Sequence, residues 1–167
     1  MDPNAPIGIF DSGIGGLTVA AAIHKLLPNE SLIYFGDTAH FPYGNQSPES
    51  IEQYGLHIAE FLRDQGCKMI VIACNTASAH ANKAVLKAMH NHIPVINVID
   101  PASQEVARRF AGKNVGVIAT SGTIRSGIYK RRIGKLSPGT TVKSLATPLL
   151  APMIEEGYFR NSISTTI

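Results

Sequence analysis

Six short strand-like runs recur along this chain, and the first five are each followed by a segment read as a helix. The runs cover 7–10, 32–35, 69–73, 95–98, 115–119 and 141–145. The continuous apolar run 69–73 reads as a strand buried on both faces, and the alternation of the runs with helices predicts a parallel sheet with helices on both sides. Helices are expected over 17–27, which stops at Pro28, and over 48–65, after a Ser47 cap and before Gly66. Ile51, Tyr54, Ile58 and Phe61 or Leu62 form the apolar stripe of the second. Further helices are expected over 77–89, over 101–110 behind an Asp100 cap, and over 124–133 after a Thr/Ser/Gly turn. The fold class is α/β.

A weak internal repeat suggests two halves. The strand and small polar turn at Gly8-Ile9-Phe10-Asp11-Ser12-Gly13 reappear at Gly116-Val117-Ile118-Ala119-Thr120-Ser121-Gly122, an offset of 108 residues. The expected division is 1–96 and 97–167, with Asn91 to Asp100 as the boundary region. The second half is expected to be incomplete, because the counterpart of Cys74 would fall near position 182, beyond Ile167, and the chain stops within Ser162 to Ile167 without a cap or charged tail.

Composition narrows the function classes. The 167 residues are 44% hydrophobic and 16% charged, with no apolar stretch of the roughly 18 residues needed to span a bilayer and no signal-like start. The expected location is therefore the cytoplasm, with no membrane partner. A net charge of +3 with dispersed basic residues argues against a nucleic-acid partner, and Lys130-Arg131-Arg132 reads as a solvated helix face. Cys67 and Cys74 fit neither a metal spacing nor a disulfide framework; reduced thiols and no metal are expected.

Four clusters carry potential chemistry. Cys74 follows the apolar run 69–73 and precedes Asn75-Thr76-Ala77-Ser78, so it falls at a strand's carboxyl end and at a helix start. Ligands of open α/β sheets bind at that edge, and the helix N–H groups would favour the thiolate. Taken alone, a free cysteine is more often an inert core residue. Asp11-Ser12-Gly13-Ile14-Gly15-Gly16 can bring backbone N–H groups to a carboxylate or phosphate, or Asp11 can simply cap a helix. A dinucleotide fingerprint is contradicted by Thr18 at its third glycine position, although Asp37 stands where a ribose-binding acid would. The loop 36–45 presents Tyr43 and Gly44, and Thr120-Ser121-Gly122-Thr123 supplies hydroxyls for a ligand or a helix cap.

Together the motifs resemble the glutamate racemases of the cofactor-independent aspartate/glutamate racemase superfamily. The resemblance rests on Phe10-Asp11-Ser12-Gly13-Ile14-Gly15-Gly16-Leu17-Thr18-Val19, on Tyr34-Phe35-Gly36-Asp37-Thr38-Ala39 with Pro42-Tyr43-Gly44, on Ala73-Cys74-Asn75-Thr76-Ala77, and on Ala119-Thr120-Ser121-Gly122-Thr123. It implies two pseudo-symmetric α/β domains, the second incomplete here, and a small-molecule substrate, D- or L-glutamate, handled without a cofactor. It also implies Cys74 as an acid/base thiol, Asp11 as its assistant and a substrate contact, and Ser12, Tyr43, Gly44, Asn75, Thr76 and Thr123 as substrate-binding residues. A homodimer and a role in peptidoglycan synthesis follow from the same resemblance. The second thiol of such enzymes is expected beyond residue 167, so this chain alone is expected not to racemise. Cys67 reads as a packing residue and His40 as a surface residue without a role. The alternatives are a single-cysteine decarboxylase or isomerase of the same superfamily, and a non-enzymatic phosphate-binding module.

Overall fold

The computed structural model describes residues 2–90 and 93–158. Part of the expected boundary region, Asn91 and His92, and the terminal stretch Ser162 to Ile167 lie outside the described residues. The chain divides into two compact units, residues 1–101 and 102–167.

In the first unit, β1 (Ile7–Asp11), β2 (Leu32–Gly36), β3 (Met69–Ile72) and β4 (Val95–Asn97) form a parallel sheet of order β2-β1-β3-β4. Its helices are α1 (Leu17–Leu26), α2 (Pro48–Asp64), α3 (Asn75–His80) and α4 (Asn82–Met89). All three strand pairings are parallel, and Phe10 of β1 lies opposite both Phe35 and Ile72.

The two faces of this sheet explain its unbroken apolar runs. Successive side chains point to opposite faces. Phe10, Ile70 and Ile72 therefore enter one core with Ile51, Ile58 and Leu62 of α2 and Val85 and Met89 of α4, while Ile7, Ile9 and Val71 enter a second with Val19 and Ile23 of α1. Each fully buried side chain of this size contributes about 1.5–3 kcal/mol. On α2 the buried stripe takes Leu62 rather than Phe61, which packs edge-on against Phe35 at 5.4 Å. Gly55 lies on the same stripe; a Cβ there would sit 2.6 Å from Ala81 Cβ, so glycine is what lets α2 approach the α3–α4 junction.

The second unit contains β5 (Asn114–Ala119) and β6 (Thr141–Ala146), paired in parallel, with α6 (Ser121–Ser126), α7 (Ile128–Leu136) and α8 (Leu150–Glu155). The helix α5 (Ile99–Arg109) contains the division between the units.

Three helix expectations are corrected. The segment expected as one helix over 77–89 begins at Asn75 and is interrupted at Ala81, where no glycine or proline announces the break. The segment expected over 124–133 is two helices meeting at Gly127, whose φ of +63° is left-handed backbone that favours glycine. The start of α5 is capped by Asn97 and not by Asp100: the Asn97 Oδ1 accepts from the N–H groups of Ile99 and Asp100, each at 3.0 Å. The Lys130 and Arg131 side chains on α7 are exposed, and the short α8 was not anticipated. Among the described residues, no helix is long and apolar enough to cross a membrane.

Candidate functional site

Strand order decides which sequence motifs meet. The chain leaves β1 for β2 on one side and returns to β3 on the other, so β1 and β3 are neighbours whose onward connections diverge. A crevice at the carboxyl ends of strands that part in this way is where open α/β sheets bind ligands. Asp11 and Ser12 leave β1 there, beside Cys74, which leaves β3. The Ala73 N–H donates to the Phe10 carbonyl at 2.8 Å and holds the two strand ends in register.

Asp11 ties down the glycine turn. Its Oδ2 accepts from the N–H groups of Gly16 at 2.9 Å and Gly13 at 3.2 Å. Gly16 is the residue at the start of α1, so the carboxylate performs the helix-start role weighed for it while remaining beside the thiol. This arrangement bears on the phosphate-module alternative. The N–H groups of Gly13 and Gly16 that would cradle a phosphate are occupied by a carboxylate, whose charge would also repel the ligand.

Cys74 is 5% exposed and is the residue at the start of α3, where its sulfur accepts from the Ala77 N–H at 3.3 Å. Its thiol donates toward Ser12 Oγ at 3.5 Å. The expected bias toward thiolate is corrected. Burial and the nearby Asp11 carboxylate push the thiol up to about 11, against the opposing pull of Ser12 and the Ala77 N–H. The helix-start effect is present but outweighed. Thr76 is buried alongside, and Asn75 is exposed at the first position of α3.

The raised thiol has a consequence for stability. The folded state keeps its proton above the ordinary thiol value near 9, so this contribution is whole below pH 9 and is lost as pH rises through about 11. Cys67 and Tyr43 are also shifted up, so the comparison must isolate Cys74. Between pH 8 and pH 11, urea unfolding should show the wild-type chain losing on the order of 2–3 kcal/mol more than Cys74→Ala. Equal losses would mean that Cys74 does not carry the shift.

Tyr43 and Gly44 lie in a short 3-10 turn, Tyr43–Asn45, that packs against α3, and both are buried. The Tyr43 side chain joins the core cluster that contains Cys74 and Ala77. Its hydroxyl donates to Asp37 Oδ2 at 2.6 Å, and burial with the Asp37 carboxylate raises the phenol's pKa. Asp37 follows β2, and its N–H donates to the Asp11 carbonyl at 2.9 Å. The His40 Nδ1 contacts both Asp37 oxygens, at 2.8 and 2.9 Å, and its ring stacks on Tyr54 of α2 at 4.0 Å. His40 is exposed, as expected of a surface residue, but its ring is held against Asp37 and Tyr54. A signal was available: Asp37, His40 and Tyr43 recur every three residues through the loop.

The sequence-expected residues of the first unit, Asp11, Ser12, Tyr43, Gly44, Cys74, Asn75 and Thr76, thus gather around the carboxyl ends of β1 and β3. Thr123 belongs to the second unit, where it is buried and its hydroxyl pairs with that of Thr120 at 3.1 Å. Thr120 caps α6 by accepting from the Thr123 N–H at 3.4 Å. Cys67 and Cys74 are both free, and Cys67 is buried in the core against Leu62 and Gly8. Among the described residues, no group of three or more His, Cys, Asp or Glu is placed to hold a metal ion.

A family model for Asp/Glu/Hydantoin racemase matches residues 15–154. The chain belongs to this family. It is 48% identical over 162 residues to a glutamate racemase of Geobacter metallireducens, a match covering 97% of this chain and 59% of that protein. Among solved structures, glutamate racemase of Francisella tularensis in complex with D-glutamate superposes with a TM-score of 0.89 at 45% identity, over 96% of this chain and 59% of that one. Escherichia coli glutamate racemase, in complex with L-glutamate and the activator UDP-MurNAc-ala, matches with a TM-score of 0.78 at 29% identity, over 97% and 60%. The mixed α/β fold with parallel sheets is shared with these racemases. The chain spans about 60% of the length of the glutamate racemases it matches.

Proposed function

We propose that this chain carries one of the two acid/base thiols of a glutamate racemase that works without a cofactor. The observation that supports it most is the buried Cys74 thiol beside Asp11 and Ser12, at the edge where β1 and β3 diverge, in a chain similar to racemases solved with D- and L-glutamate. Inverting the α-carbon requires a proton to leave one face and another to arrive on the opposite face, hence two acid/base groups. Cys74 takes the α-proton of D-glutamate and, as a thiol, returns one when L-glutamate reacts.

The thiol's high pKa is compatible with this chemistry. A substrate ammonium group against Asp11 offsets the carboxylate that disfavours the thiolate, so the base is unmasked when the substrate binds. Asp11 thereby assists proton transfer while contacting the substrate. Ser12, Asn75, Thr76 and the Tyr43–Gly44 turn supply short polar groups for the two carboxylates. Hydrogen bonds to the α-carboxylate stabilise the developing carbanion. The remaining cysteine, Cys67, is packed in the core and cannot serve the opposite face.

The 167 residues alone are therefore inactive in net racemisation. On the family resemblance of its motifs alone, the whole enzyme supplies D-glutamate for peptidoglycan in the cytoplasm and assembles as a homodimer. The test is to incubate the chain with D-glutamate in heavy water and follow α-deuterium by NMR and L-glutamate by chiral chromatography. Deuterium entering D-glutamate without L-glutamate is the expected result. Net conversion to L-glutamate would overturn the inactivity, and exchange at another dicarboxylate in preference to glutamate would favour the single-cysteine isomerase.

A further inference from the structure

We propose that His40 is a positioning residue for the substrate-binding turn, acting on Tyr43 and Gly44 through Asp37. The inference deepens the racemase reading, since it rests on that turn contacting substrate. Asp37 is a node with three attachments. Its N–H is held by the Asp11 carbonyl, its Oδ2 receives the Tyr43 hydroxyl at 2.6 Å, and both its oxygens receive His40 Nδ1. A carboxylate only accepts hydrogen bonds, so the His40 proton lies on Nδ1. Asp37 is 7% exposed, and a buried carboxylate with too few donors is costly. Without His40, that carboxylate would turn toward other donors and release the phenol it now aims.

The ring of His40 is itself fixed from outside the loop. It lies nearly parallel to Tyr54, at 18°, and Tyr54 is carried by α2, whose Ile51 and Ile58 are anchored in the core. The Gln46 side chain also donates to the His40 carbonyl at 3.2 Å. Position is therefore transmitted from a packed helix through an imidazole and a carboxylate to the tyrosine preceding Gly44. His40 touches neither Cys74 nor its partners, so its effect falls on substrate binding rather than on proton transfer.

The test compares His40→Phe, which keeps a ring for Tyr54 but has no donor, with His40→Gln, which restores an N–H donor. In the 167-residue chain, His40→Phe should shift the Gly44 amide and the Tyr43 hydroxyl resonances and lower the melting temperature by several degrees, the cost of a buried carboxylate losing a donor. For deuterium exchange into D-glutamate, its KM should rise about tenfold with kcat within about twofold, the size expected for one lost hydrogen bond to a charged group. His40→Gln should recover most of that loss. Unmoved Gly44 and Tyr43 resonances in His40→Phe, or a fall in kcat with KM unchanged, would overturn the proposal. Should the wild-type chain show no exchange, the racemase reading fails, and the Gly44 and Tyr43 resonances still decide whether His40 positions the turn.

Discussion

Replacing Cys74 by alanine is expected to lower the rate of α-deuterium exchange into D-glutamate by roughly a hundred- to ten-thousand-fold, the usual contribution of one general base. The expectation follows from the scarcity of alternatives around the β1 and β3 ends. Asp11 is engaged by the N–H groups of Gly13 and Gly16, Ser12 Oγ receives the thiol, and Tyr43 is held to Asp37 with its pKa raised by burial. None of these matches a thiol as a carbon base. Serine at position 74 should do little better than alanine, since its hydroxyl gives up a proton far less readily than a thiol. Proton NMR in heavy water, with each variant's fold checked by its melting curve, provides the measurement. Exchange persisting in Cys74→Ala at a rate near wild type would remove Cys74 from the chemistry and move the search to Asp11.

The thiol's environment also shows where sequence reasoning stops. A strand end followed by small polar residues located Cys74 correctly at a helix start, and that local geometry alone favours thiolate. Whether the sulfur is solvated, and which charge faces it, depends on β3 lying next to β1 instead of β2. The order of segments along the chain does not contain that pairing. Five of the six strands were legible as short apolar runs bounded by polar or turn residues, whereas β6, with Lys143 and Ser144 inside it, carries a weaker pattern. The break at Gly127 carried a glycine as a signal, whereas Ala81 interrupts a helix-favouring stretch and is recognisable only in three dimensions. Asn97 and Asp100 are equally good capping residues on paper, and the backbone path decides between them. The Asp37, His40 and Tyr43 network had a three-residue spacing as its trace, but its meaning required Tyr54 from α2 and the backbone of Asp11. Site residues were thus readable where one strand end and its following turn hold them, and unreadable where a second element supplies the partner.

Gly16→Ala joins fold and site in one substitution and is expected to damage both. The backbone at Gly16 has φ −65° and ψ −12°, which alanine adopts freely, so any effect is steric. An added Cβ would lie 2.6 Å from Asp11 Cβ, 2.9 Å from Tyr34 Oη and 3.0 Å from Ala73 Cβ. None of these neighbours can easily yield. Asp11 and Ala73 extend adjacent strand ends, and the Tyr34 hydroxyl is bonded to the Gly13 carbonyl at 2.8 Å. Overpacking against such walls costs about 3 kcal/mol, which for a unit of this size lowers the melting temperature by roughly 10 °C or more. Relief by moving the turn would draw the Gly16 N–H from Asp11 and leave the carboxylate misdirected beside Cys74. Exchange into D-glutamate should then be impaired well below the melting transition, where the variant is still folded. Gly116→Ala is the matched control, because its Cβ meets no atom within 4 Å and should change stability by about half a kcal/mol at most. Equal melting temperatures and exchange rates in the two variants would mean that the turn gives way freely, and that the grip of Gly16 on Asp11 does not hold the carboxylate in place.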